Sequence, residues 1–100
     1  MNTPLKCGIA GYGYMGEIRR AVIERHAETM ALVGIFDTNE AVRAKIQGAA
    51  TFSTLDELFK EKLDILFVCT PNCFSPEISI KAMELGVHVF CEKPDRKSVV

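Results

Sequence analysis

Short apolar runs alternate with segments of helical period along the chain. Leu5 to Ala10 is an apolar run of strand length that breaks at a glycine turn. Past the turn the spacing becomes helical, with Met15, Ile18, Val22 and His26 on one face and Glu17, Arg20, Glu24 and Arg25 mostly elsewhere. A second run, Ala31 to Phe36, closes at Asp37. Thr38 or Asn39 then caps a short helix over 40–47 that Gly48 ends. Thr51-Phe52 is a short strand at most. Ser53 or Thr54 opens a helix carrying Leu55, Leu58 and Phe59, and both Ser53…Asp56 and Thr54…Glu57 have capping-box spacing. Ile65 to Cys69 is apolar without alternation, as suits a central parallel strand covered on both faces. Ser75-Pro76 reads as an N-cap followed by a first-turn proline. The helix it opens has Phe74, Ile78, Ala82 and Leu85 as its buried stripe and ends at Gly86; Val87 to Cys91 is a fifth strand.

This βαβαβαβαβ order predicts an α/β fold. The expected architecture is a doubly wound parallel sheet of Rossmann type, with right-handed crossovers and strand order 3-2-1-4-5. The first turn carries chemistry as well. Gly11-x-Gly13-x-x-Gly16 stands between its strand and its helix, the context a dinucleotide fingerprint requires. Gly11 permits the tight turn, Gly13 lets backbone amides approach a pyrophosphate, and Gly16 lets the helix pack against the strand. The anion then sits at a helix N-terminus. Tyr14 and Met15, inside the fingerprint, count with the glycines as cofactor-binding residues, and Tyr12 and Tyr14 are placed to cover the ligand. A glycine turn that binds nothing is the bland alternative, and the flanking strand and helix weigh against it.

Asp37 lies 26 positions beyond Gly11, near the expected spacing of about 20 for the ribose-binding acid. Its carboxylate accepts from ribose hydroxyls and repels a 2′-phosphate, which favours NAD over NADP. The competing role is capping the next helix, for which Thr38 and Asn39 are also available. The remaining polar residues of interest also follow strands directly: Thr70-Pro71-Asn72 after the fourth, Glu92-Lys93 after the fifth. Carboxyl ends of parallel strands share one edge of the sheet, so these groups should ring one crevice.

Composition narrows the partners. The chain has 100 residues, enough for one domain, with 48% hydrophobic and 25% charged residues. A net charge of −1 gives no reason to expect nucleic acid or an anionic membrane as partner. No signal-peptide h-region or membrane-length run occurs, so a cytoplasmic location is expected. Four cysteines (Cys7, Cys69, Cys73, Cys91) form no Cys-x-x-Cys pair; Cys7, Cys69 and Cys91 fall in or at the ends of apolar strand-like runs, so buried reduced thiols are expected there rather than a metal site. His88, between Val87 and Val89, reads as a structural histidine.

Thr70-Pro71-Asn72, the helix through Ala82, and the run Gly86-Val87-His88-Val89-Phe90-Cys91-Glu92-Lys93-Pro94 closely resemble the Gfo/Idh/MocA oxidoreductases. Gly11-Tyr12-Gly13-Tyr14-Met15-Gly16 resembles them equally, so the resemblance spans essentially the whole chain. It implies a nicotinamide-dependent oxidoreductase acting on CH–OH groups of a sugar, cyclitol or related polyol. By the same resemblance Lys93 is catalytic, near the nicotinamide and the reacting hydroxyl; Glu92 contacts the nicotinamide ribose; and Thr70, Pro71 and Asn72 line the cofactor cleft. An ammonium near the hydroxyl oxygen would stabilise developing alkoxide and relay its proton. A loop ion pair between Lys93 and Glu92 is the plainer alternative.

Ser75 departs from the family, many of whose members have histidine there. Ser98 looks like the cap of a helix whose body is missing. Family members continue into a second α/β domain that supplies the substrate pocket and an oligomer interface. Residues 1–100 are therefore expected to be the dinucleotide-binding domain, amino-terminal to that second domain, binding cofactor without turnover on their own and forming a homo-oligomer at full length. A non-catalytic nucleotide-binding or sensor module and a Rossmann-like methyltransferase are the alternatives; in the last, Glu-Lys-Pro has no role.

Overall fold

The computed structural model describes residues 3–69 and 76–91. Five strands, β1 (Leu5–Ala10), β2 (Met30–Phe36), β3 (Thr51–Phe52), β4 (Ile65–Val68) and β5 (His88–Cys91), alternate with four helices, α1 (Tyr14–Arg25), α2 (Glu40–Lys45), α3 (Leu55–Phe59) and α4 (Pro76–Leu85). All described pairings are parallel, and the order is β3-β2-β1-β4-β5. This is the doubly wound Rossmann sheet the sequence predicts.

The core lies on both faces of the sheet. Cys7, Ile9, Ile35 and Phe67 pack with Ile23 of α1. On the other face Ala10, Leu66 and Val68 pack with Leu58 and Phe59 of α3 and Ala82 of α4. Complete burial of side chains such as Ile9, Ile23, Ile35, Leu58 and Leu66 contributes about 1.5–3 kcal/mol each before chain entropy is subtracted. Lys81 of α4 pairs with Asp56 of α3.

Three local expectations need correction. The buried residues of α1 are Gly16 and Ile23, with Arg19, Arg20 and the expected Val22 half-buried, whereas Ile18 is 40% exposed and His26 is exposed. The phase is set by Gly16, which must face the Gly11 carbonyl, so the most buried positions run one residue later than the aliphatic spacing implies. Helix α2 stops at Lys45 instead of continuing to residue 47, because Ile46 is already extended (φ −79°, ψ 128°). Leu85 is 55% exposed, since α4 lies over β5 at the sheet's edge and meets the sheet at Ile78 and Ala82. Phe74, expected in the same stripe, lies outside the described residues. His88 is exposed, with its backbone N–H donating to Asp64 O at 3.0 Å.

Gly8 and Gly34 are paired across β1 and β2, and together they leave a flat spot on which α3 sits. A Cβ on Gly34 would come 2.4 Å from Phe52 Cε2 and 3.1 Å from Leu58 Cδ1; one on Gly8 would come 2.8 Å from Leu63 Cδ1. Gly34→Ala should therefore destabilise the fold by about 1–3 kcal/mol, the cost of overpacking. Urea denaturation should show a lower midpoint at unchanged slope, partly restored by Phe52→Leu in the same chain. An unchanged midpoint would mean that Phe52 moves aside freely.

Candidate functional site

The strands end in one row. Phe52, Phe36, Ala10, Val68 and Cys91 are mutual register partners across all five strands. Backbone bonds continue past the row: Gly11 N–H donates to Phe36 O (2.7 Å), Asp37 N–H to Phe52 O (3.2 Å) and Cys69 N–H to Ala10 O (2.8 Å). Gly11, Asp37 and Cys69, the residues that follow β1, β2 and β4, thus continue from the same edge of the sheet. The sequence reading places Thr70, Pro71 and Asn72 beyond β4 and Glu92 and Lys93 beyond β5; these five, with Ser75, lie outside the described residues.

In the first turn each of the three glycines has its own geometry. Gly11 has φ +94°, a conformation that side-chain-bearing residues rarely adopt. A Cβ on Gly16 would lie 2.5 Å from Gly11 O, so the helix approaches the backbone of the turn as closely as a bare Cα allows. Gly13 is different: nothing lies within 4 Å of its would-be Cβ. It is also the N-cap of the twelve-residue α1 and offers no side-chain cap. The first N–H groups of a helix have no acceptor within it, and the dipole adds partial positive charge. Tyr14, 77% exposed, and Met15 are the first two helical residues. The turn therefore presents uncapped donors beside open space, which fits an oxyanion such as a diphosphate.

Asp37 is half-buried at the end of β2. Its Oδ2 accepts from Tyr12 N–H and its Oδ1 from Asn39 N–H, both at 2.8 Å. The cap of α2 is Asn39, whose Oδ1 accepts from Ala41 and Val42 N–H (2.9 and 3.4 Å), so Asp37 is not the helix cap. The carboxylate instead ties β2 to the glycine turn. Each of its oxygens keeps lone-pair capacity for a further donor such as a ribose hydroxyl. Arg43 Nη1 donates to Asp37 O at 2.8 Å, fixing the same residue from the other side. Neither Arg43 nor the Tyr12 tether has a sequence signature, because both contacts depend on how β2 and the first turn meet.

Among the described thiols, Cys7 is buried as expected, whereas Cys69 and Cys91, at the ends of their strands, are only half-buried. Burial, with the nearby Asp64 charge, pushes the Cys7 thiol above its ordinary range, so it is a packing group rather than a nucleophile. Among the described residues no group of three or more His, Cys, Asp or Glu side chains could hold a metal ion, and no helix is long and apolar enough to cross a membrane.

Comparison with known proteins places this geometry. Residues 5–98 match the family model GFO_IDH_MocA, described as "Oxidoreductase family, NAD-binding Rossmann fold". Among curated relatives, the D-glucoside 3-dehydrogenase of Escherichia coli K12 is 31% identical over 98 residues, covering 93% of this chain and 28% of the relative. The 2,7-anhydro-N-acetylneuraminate hydratase of the same organism is 34% identical over 90 residues, covering 87% and 24%. Among solved structures, the WlbA dehydrogenase from Bordetella pertussis, in complex with NADH and UDP-GlcNAcA, superposes with a TM-score of 0.79 at 29% identity, covering 92% of this chain and 29% of that one. The chain thus spans 24% to 29% of the length of these proteins, with the hydratase at the lower end.

Proposed function

The chain belongs to the Gfo/Idh/MocA oxidoreductase family with its NAD-binding Rossmann fold, and from that premise we propose that it supplies the cofactor-binding domain of an NAD-dependent dehydrogenase. The substrate is a sugar, cyclitol or related polyol oxidised at a CH–OH group. The length ratio to the relatives supports a division of labour in which a second domain builds the substrate pocket and the homo-oligomer interface. On its own the chain binds cofactor without turnover. The proposed setting is cytoplasmic, with no nucleic-acid or membrane partner.

The observation that carries this reading is the uncapped, open N-terminus of α1 beside a crowded Gly16 and a left-handed Gly11, on the edge where all five strands end. Gly11, Gly13 and Gly16, with the backbone of Tyr14 and Met15, would hold the diphosphate. Asp37 would take the adenosine ribose, and Thr70, Pro71, Asn72 and Glu92 would line the nicotinamide half. NAD, when bound, supplies the hydride acceptor; Lys93 would hold and relay the hydroxyl proton.

Calorimetric titration with NADH, NADPH and S-adenosylmethionine tests the assignment. NADH should bind tightest. Preference for the methyl donor would replace the oxidoreductase reading with the methyltransferase one. Asp37→Ser should raise the NADH dissociation constant by about tenfold, the scale of losing hydrogen bonds to a charged group, and narrow the gap to NADPH. A constant unchanged by this substitution would remove Asp37 from the ribose site. Because one relative is named a hydratase, turnover assays should follow product as well as NADH.

A further inference from the structure

We propose that Arg20 is a positioning residue that ties the tyrosine of the glycine turn to the α2–β3 connection and holds the turn in its ligand-receiving shape. The inference rests on the cofactor-binding reading for its purpose, though not for its geometry. Arg20 lies one helical turn beyond Gly16, and its side chain is only 15% exposed. Its guanidinium reaches three acceptors: Nε donates to Glu24 Oε2 at 2.8 Å, Nη2 to Gln47 O at 2.6 Å, and Nη1 to Tyr12 OH at 3.5 Å. A planar fork with donors pointing several ways can serve all three at once, which a lysine ammonium at the same place cannot do in the same geometry.

Both ends of this link are built for it. At the far end, Gly48 has φ +76°, and a Cβ there would lie 3.2 Å from Arg20 Nη2. The chain therefore bends at a residue that leaves the guanidinium room beside the Gln47 carbonyl. At the near end, Tyr12 is held three ways. Its N–H donates to Asp37 Oδ2, its ring lies over Gly16 (Cδ1 3.3 Å from the would-be Cβ), and its hydroxyl meets Arg20. The contacts form a line, Gln47–Arg20–Tyr12–Asp37, that spans the α2–β3 connection, α1, the turn and β2.

The turn needs such support because its glycines lose the most backbone freedom on ordering. A side chain that orders them beforehand reduces what ligand binding must overcome. The Tyr12–Arg20 contact is long for a hydrogen bond, so the effect should be several-fold rather than abolishing.

The test reads the turn directly. In the protein without ligand, the amides of Gly11 and Tyr12 are bonded to Phe36 O and Asp37 Oδ2, so hydrogen exchange by NMR reports on their opening. Arg20→Met, which keeps the stem and removes the donors, should speed exchange at these two amides by about fivefold or more relative to Ile9 and Leu66. It should also raise the NADH dissociation constant by about five- to tenfold at a temperature where the protein is fully folded. Tyr12→Phe should do part of both, and the double variant should be no worse than Arg20→Met alone. Wild-type exchange at Gly11 and Tyr12 in folded Arg20→Met, or multiplying effects of the two substitutions, would overturn the proposal. Should Arg20→Met not fold, Tyr12→Phe, which spares the Gln47 bridge, reads the same amides with the same criteria. Wild-type protein that bound no NADH would defeat the cofactor reading, while the exchange rates would still decide the role of Arg20.

Discussion

Gly16→Ala should raise the NADH dissociation constant by about a hundredfold. The added methyl carbon would stand 2.5 Å from Gly11 O and 3.3 Å from Tyr12 Cδ1. A side chain so crowded could swing away, but the first obstacle is a backbone carbonyl of the turn itself. Relief requires α1 to lift from β1 or the turn to open, and either displaces the N–H groups that face the ligand. Overpacking of this kind costs about 1–3 kcal/mol. If the upper end appears as lost turn geometry, the arithmetic gives about two decades in affinity. Gly13→Ala is the informative partner, because open space surrounds that position. It should leave the melting temperature unchanged and still weaken NADH, since the methyl intrudes only where a ligand would be. Gly16→Ala should lower both. Equal affinity for NADH in wild type and Gly16→Ala would place the diphosphate elsewhere.

What the sequence reveals about this fold is whatever repeats locally. Leu5–Ala10 and Ile65–Val68 are legible as strands because largely apolar runs suit a sheet covered on both faces, and the order 3-2-1-4-5 is the one that goes with a dinucleotide fingerprint in the first turn. The phase of α1 is not legible from its aliphatic residues, because the closest approach is made by Gly16, which has no hydrophobic signal; counting from that glycine reaches Ile23. The register shift between β1 and β2, where Cys7 pairs with Leu32 but Gly8 with Gly34, follows no period of two. At the site, the glycine turn and Asp37 are legible from spacing. The second use of Asp37 as a tether for Tyr12 N–H, the Arg43 contact on its carbonyl and the Arg20 bridge are not, since each joins residues that only the tertiary fold brings together. Electrostatics adds little signal of its own here: the raised proton affinity of Arg20 follows from Glu24 first and Tyr12 second, contacts already visible as geometry.

Lys93→Ala should cut turnover by about a hundredfold or more, the usual scale of a lost general acid–base group, while leaving NADH affinity within about threefold. Lys93 follows β5 by two residues, and Cys91 stands in the same row as Val68 and Ala10. The edge on which β5 ends is therefore the edge of the glycine turn. In the proposed reaction the CH–OH carbon gives up a hydride as its oxygen gives up a proton. An ammonium beside that oxygen lowers the cost of the developing alkoxide and offers a route for the proton. The plainer role, a loop ion pair with Glu92, makes a different forecast. An exposed pair of that kind is worth about 0–1 kcal/mol, so Lys93→Ala and Glu92→Gln would then change turnover alike and only a few-fold. Lys93→Arg separates charge from proton transfer. It keeps the cation but does not deprotonate in the working range, so it should preserve NADH binding and fail to restore turnover. Steady-state rates in the protein as the cell produces it, measured across a panel of polyols, decide between the two. Turnover of Lys93→Ala within twofold of wild type would assign the proton to another group.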